Sequence, residues 1–204
     1  MRIKNTAIAI CIAAAASFGV ASATTTTVID FDDLAPGAVV SSIDGVTISS
    51  NIGLDLVVST GLQTTSGDNY LGVDDGGTQS FLGLDEVTFD FDEAITSFSL
   101  TAVTTPFLPA GALTLTGGGE FSVSAAPDEI LSSGDEVFIL TIASLAPFMS
   151  ATLSAASGVF AFNIDDIVFE TFIDPEVVPV PGAALLFLTA LMGAGFSARR
   201  KPTP

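Results

Sequence analysis

Between Lys4 and Arg199 the chain carries no basic residue, while all 23 of its acids lie from Asp30 to Glu176. No other feature constrains the fold so strongly. A domain built from this stretch has no Lys or Arg to pair with a carboxylate. Each acid must therefore end in water, on a backbone amide, on a hydroxyl or on a metal ion. Acids should gather at turns and strand edges. Residues 24–198 carry a formal charge of −23, so this body repels phosphate backbones and anionic lipid, which argues against nucleic acid as a partner. Histidine is absent, and the one cysteine is Cys11.

The five cations are confined to the ends: Arg2, Lys4, Arg199, Arg200 and Lys201. At the N-terminus Arg2 and Lys4 precede an apolar run from Ala7 to Val20, and Ala21-Ser22-Ala23 follows. Basic start, apolar middle and small-residue cleavage site, in that order, describe a secretory signal peptide over residues 1–23. Export through the Sec translocon and cleavage after Ala23 would make Thr24 the first mature residue. Cys11 would leave with the peptide, and with it disulfides, thiolate metal sites and a cysteine nucleophile.

At the other end, residues 182–198 are uncharged and rich in Leu, Ala, Phe and Gly. With residues 177–181 they could cross a hydrocarbon core of about 30 Å as a transmembrane helix. Arg199, Arg200 and Lys201 follow and favour a cytoplasmic tip, with the body outside the cytoplasmic membrane. Val178-Pro179-Val180-Pro181 stands before the span, where two prolines without amide donors keep the chain extended. This order of parts resembles the PEP-CTERM sorting signal, over about the last 25 residues; Val180 stands where that family usually has glutamate. The resemblance implies an exosortase-type processing enzyme as partner, and an association with exopolysaccharide and biofilm. The alternative is a permanent single-span anchor. The expected course is export, anchoring in the inner membrane, and then the cell surface or extracellular space.

Residues 24–176 read as short strands. Val87, Phe89 and Phe91 alternate with Thr88, Asp90 and Asp92, the period of a half-buried strand. Phe98, Leu100 and Ala102 resume the pattern after Asp92-Glu93. Leu113 and Leu115, then Gly117-Gly118-Gly119, then Phe121 and Val123 read as a hairpin. Further runs lie at 28–31, 46–49, 138–142, 151–153 and 159–169. Strands every 8–12 residues, with turns between and no helical period, predict an all-β domain: an antiparallel β-sandwich of jelly-roll type built on phenylalanine. With no tryptophan and Tyr70 as the one tyrosine, the usual aromatic platform for sugars is missing.

One run breaks its own pattern. Phe160, Phe162 and Ile164 share a parity, while Ile167 and Phe169 take the other, so a β-bulge is expected at Asp165-Asp166. Residues 162–169 resemble the closing strand of galactose-binding-like and carbohydrate-binding modules. In several of those families an aspartate of this strand binds a structural calcium, which the resemblance carries to Asp165 or Asp166. Closing a sandwich sets the first and last strands near one another, which could supply Asp30, Asp32 or Asp33 as a second ligand. Unpaired acids repel, and Ca²⁺ accepts irregular oxygen ligands. The alternative is that both clusters are solvated edges.

Catalysis would have to rest on carboxylates, hydroxyls or Tyr70. Acid pairs abound and none stands apart, so no enzyme and no required cofactor are expected, beyond calcium as a structural ion. The expectation is a non-catalytic cell-surface or matrix protein carrying a sorting tail, with residues 177–204 as that tail. The alternative is a calcium-dependent carbohydrate-binding module.

Overall fold

Apolar–polar alternation runs through nearly the whole of the region that the structure describes. A computed structural model describes residues 24–172 apart from 62, 107 and 157–159. The expected signal peptide and sorting tail, with Ala21, Ala23 and the motif residues from Val178 to Lys201, lie outside the described residues.

The strands are β1 (Thr24–Ile29), β2 (Ser42–Ile43), β3 (Val46–Ser50), β4 (Leu56–Thr60), β5 (Asn69–Val73) and β6 (Phe81–Leu82). After them come β7 (Glu86–Thr104), β8 (Leu113–Gly117), β9 (Glu120–Val123), β10 (Glu129–Ile130), β11 (Glu136–Ala155) and β12 (Ala161–Phe172). No helix occurs among the described residues.

Two of these strands are long enough to serve both layers of an antiparallel β-sandwich. The first half of β7 pairs with β3 and with the second half of β11, which pairs in turn with β8 and, through β8, with β9. The second half of β7 pairs with the first half of β11 and with β12. The register of β11 on β7 breaks between Ala143 and Phe148 and again before Ser150, which marks the turn from one layer to the other. Strands that change sheet at a bend form the corners of such a sandwich. β12 then pairs with β1 at one end and with β5 and β6 at the other.

The inner faces carry the apolar parity of each strand. Val87, Phe89, Ala151, Leu153, Leu113 and Leu115 are buried from one layer, and Phe98, Leu100, Leu140, Ile164 and Ile167 from the other. Phenylalanine joins the layers. The Phe98 ring lies 5.0 Å from Phe89 and 5.2 Å from Phe91, and Phe91 lies 5.1 Å from Phe169. Tilted and edge-on pairs at these separations add about 0.5–1.5 kcal/mol each beyond area burial.

Two local readings are met closely. β8 and β9 form a two-residue hairpin whose central Gly118 and Gly119 have φ of 59° and 82°. Two positive φ values are what a type I′ turn requires, and glycine adopts them without a Cβ clash. In β12, Ile164 pairs with Ala102 but Ile167 pairs with Leu100, so three steps on one strand oppose two on the other. The bulge falls on Asp165-Asp166, opposite Thr101.

Register also keeps two apolar residues of this hairpin out of the core. Phe121 and Val123 belong to the hairpin but not to the core: they pair with Thr116 and Thr114, whereas the inward Leu115 pairs with Ser122. Phe121 is 73% exposed.

Candidate ligand cleft and its clamped loop

With no basic side chain between Lys4 and Arg199 to receive them, several carboxylates bind backbone amides and hydroxyls and so staple loops. The clearest case is the loop between β4 and β5. Its C-terminal end is held by Asp32, whose Oδ1 accepts from Asp68 N at 3.0 Å and Asn69 N at 3.1 Å. Asn69 Nδ2 answers by donating to the carbonyls of Phe31, Asp32 and Leu34 at 3.3, 3.4 and 3.0 Å. These bonds fix the turn after β1, where buried Phe31 takes a φ of 61° that an aromatic residue rarely adopts.

The middle of the same loop is held by the bulge. Asp165 Oδ2 accepts from Thr65 N at 2.5 Å, Thr65 Oγ1 at 2.6 Å and Ser66 N at 3.1 Å. Asp166 Oδ1 accepts from Ser66 Oγ at 2.7 Å. Asn163, two residues earlier, donates from Nδ2 to Gln63 Oε1 at 2.6 Å. A regular strand would aim two successive aspartates at opposite faces; the extra residue lets both serve the same loop. Gly67 leaves room for the clamp, since a Cβ there would stand 1.6 Å from Asp32 Oδ2.

Under this loop the strand is buried. Asp165 is 0% and Asn163 1% exposed, and the Oδ1 atom of each has no hydrogen-bond partner among the described residues. Two oxygen acceptors without donors on one strand is an uncommon arrangement. Burial pushes the Asp165 carboxyl above the ordinary carboxylate range, the Thr65 and Ser66 donors pull it back, and the Asp166 charge adds to the rise.

The expected metal residues therefore divide. β1 and β12 do pair, Ile29 opposite Ile167, and Asp32 meets Asp165 and Asp166 through the loop that all three hold. Asp30 and Asp33 instead line a separate cavity of about 370 Å³ with Asp44. Among the described residues no three acidic side chains gather as a metal group.

Beside the clamp, on the outer face of the layer, lies a cleft of about 290 Å³. Thr65 and Asp166 line it from the clamped loop and bulge, Asp128 and Glu129 from β10 and the residue before it, and Thr101, Val137 and Ile139 from β7 and β11. Asp128 is fixed there by accepting from Ile139 N at 2.7 Å. Thr101 is 8% exposed, and its hydroxyl has no hydrogen-bond partner among the described residues. The cleft thus offers three carboxylates and two hydroxyls around an apolar patch. Sequence reasoning missed Thr65, Thr101, Asp128, Glu129 and Ile139, because segments far apart in the chain bring them together.

Tyr70 is buried at 5% exposure. Burial pushes its phenol above the ordinary value, with the Ser59 hydrogen bond acting the other way. It is neither a platform for a sugar ring nor an accessible acid.

No family profile and no curated protein matches this chain. Among solved structures it is similar to a family 29 carbohydrate-binding module, at 17% identity and a TM-score of 0.38, over 77% of this chain and 99% of that one. It is also similar to the family 32 module of C. perfringens NanJ in complex with galactose, at 12% identity and a TM-score of 0.32, over 61% and 93%. The catalytic unit of a GH87 α-1,3-glucanase from Streptomyces thermodiastaticus gives 12% identity and 0.37, over 72% of this chain and 29% of that one. Likenesses this distant say nothing about a ligand.

Proposed function

We propose that the body is a non-catalytic glycan-binding domain of an exported surface or matrix protein. The observation that carries this reading is the cleft of about 290 Å³, with its three carboxylates, two hydroxyls and apolar patch. Sugar hydroxyls donate well to carboxylates, and a sugar's C–H face packs on an exposed apolar residue such as Ile139. Two acids of this cleft are already committed, Asp128 to the Ile139 amide of β11 and Asp166 to the Ser66 hydroxyl of the loop, which suits recognition better than proton transfer. The tail is proposed as a PEP-CTERM-like sorting signal. It would place the domain in the exopolysaccharide layer by way of the inner membrane and an exosortase-type enzyme.

A structural calcium is the finer part of the proposal. The oxygen atoms it would draw on are Asp165 Oδ1 and Asn163 Oδ1, both buried and without a hydrogen-bond partner among the described residues, and backbone carbonyls at the bulge would complete the shell. Asp30 and Asp33 have no part in this set. Such an ion would fix the loop that supplies Thr65 to the cleft.

The test is retention of residues 24–174 on purified exopolysaccharide from the producing cells, in calcium and in chelator. Retention in calcium that fades in chelator supports both parts. Retention unaffected by chelator keeps the glycan reading and removes the ion. No retention in either buffer overturns the glycan reading.

A further inference from the structure

We infer that the ligand of this cleft is a glycan carrying free primary amines, as in de-N-acetylated hexosamine units, and not a neutral or uronate-bearing chain. The inference rests on the glycan reading of the same cleft and adds its charge class. Asp128, Glu129 and Asp166 line it from two sides, with no basic residue anywhere between Lys4 and Arg199 to offset them. A carboxylated sugar meets only repulsion there, whereas an ammonium group gains charge-assisted hydrogen bonds. The Thr101 hydroxyl is the second pointer. It is 8% exposed, lines the cleft and has no partner among the described residues, so a ligand hydroxyl or amine can take it up without displacing a protein bond. Ile139, 54% exposed, adds an apolar surface suited to a ring's C–H face. A hydroxyl-bearing, amine-bearing ring uses all three features, while a bare lysine side chain uses fewer.

A body this acidic attracts any polycation, so the experiment separates the cleft from general charge. A glucosamine tetramer, its N-acetylated counterpart, a neutral glucan oligomer, a uronate oligomer and a tetralysine peptide are titrated against residues 24–174. The compact unit Ala23–Asp174 contains the whole core, which makes this fragment suitable. Two variants remove three charges each: Asp128→Asn/Glu129→Gln/Asp166→Asn in the cleft, and Asp44→Asn/Asp92→Asn/Glu93→Gln around another cavity, of about 330 Å³, that these three line. A third variant, Thr101→Val, removes the hydroxyl alone and breaks no hydrogen bond among the described residues. The expected result is tightest binding of the glucosamine tetramer, weakened about tenfold or more by the cleft triple variant and little by the control triple variant. Thr101→Val should weaken it about two- to tenfold. Equal weakening by the two triple variants, or tetralysine binding as tightly as the tetramer, overturns the inference. Binding of the acetylated or neutral oligomer as tight as the amine form also overturns it, while leaving the glycan reading standing. Binding of none of the sugars removes both.

Discussion

Replacing Asp165 by asparagine separates a buried carboxylate that is a liability from one that serves an ion. In the absence of metal its ionised form is opposed by complete burial and by Asp166, and favoured by three donors from Thr65 and Ser66. Its folded-state pKa lies above the ordinary 3.8. The folded protein therefore holds this proton more tightly than the unfolded chain. Without metal, this group makes stability fall as pH rises from about 3.8 through its folded value. Asp165→Asn keeps an oxygen for the three donors, places an N–H₂ where the orphan Oδ1 stands, and abolishes that slope. In chelator at neutral pH it should lie within ~1 kcal/mol of wild type, whereas Asp165→Ala, which strips all three donors of their acceptor, should cost ~2–3 kcal/mol.

Calcium should reverse the order of wild type and Asp165→Asn. If the ion binds with a Kd of order 10⁻⁴–10⁻³ M, as extracellular sites do, then at about 10 mM it adds ~1.4–2.7 kcal/mol by mass action. For a domain of this size that is a rise of about 3–10 °C in Tm. The assay is thermal unfolding of residues 24–174 across pH 3–8, in calcium and in chelator, at matched ionic strength. A calcium shift in wild type no larger than in Asp165→Asn, or no larger than sodium chloride produces, refutes the ion. A wild type whose stability in chelator rises between pH 4 and 7 relative to Asp165→Asn refutes the buried-charge account itself.

Other consequences are simpler to check. Gly67→Ala sets a Cβ against Asp32 and strains a φ of 47°; it should free the loop, read as faster amide exchange at Asp68 and Asn69 and weaker ligand binding with the core intact. Asp75 is held down to about 2 by the amides of Gln79 and Gly77 and the Thr78 hydroxyl. Order in the turn after β5 should therefore be fully present above the ordinary 3.8 and lost as pH falls through about 2, as amide exchange at Gly77 and Gln79 would show. Exported protein should begin at Thr24, and an N-terminus at Met1 on the exported form would contradict the signal peptide. In the native host the C-terminus should be shortened near residues 178–181, as intact-mass analysis would reveal; an unshortened tail leaves the permanent anchor.

Strand positions were legible in the sequence because side-chain alternation is a local property. The bulge at Asp165-Asp166 was legible for the same reason: an extra residue flips parity, and Ile164 and Ile167 record the flip. Layer membership was not. Asp92-Glu93 reads as a break between two strands, yet β7 runs through it as one strand of 19 residues. The bend becomes visible only in which partners each half finds. The outward face of Phe121 was not legible either, because hydrophobicity names a face only once register is known. The cleft was hidden for a further reason. Thr65 and Asp166 are separated by 101 positions, and Thr101, Asp128 and Ile139 come from strands whose adjacency is a tertiary fact. Asn163 looks like an outward polar residue of an alternating strand; the loop above it makes it a buried one.

The central claim is that this domain binds glycan at the cleft between the clamped loop and β10. Amide NMR of residues 24–174 during titration with exopolysaccharide fragments tests it most directly. The account predicts saturable shifts at Thr65, Thr101, Glu129, Ile139 and Asp166, with little change at Phe121 and Val123. Saturable shifts centred on Phe121 and Val123, or none at all at saturating fragment, would contradict it.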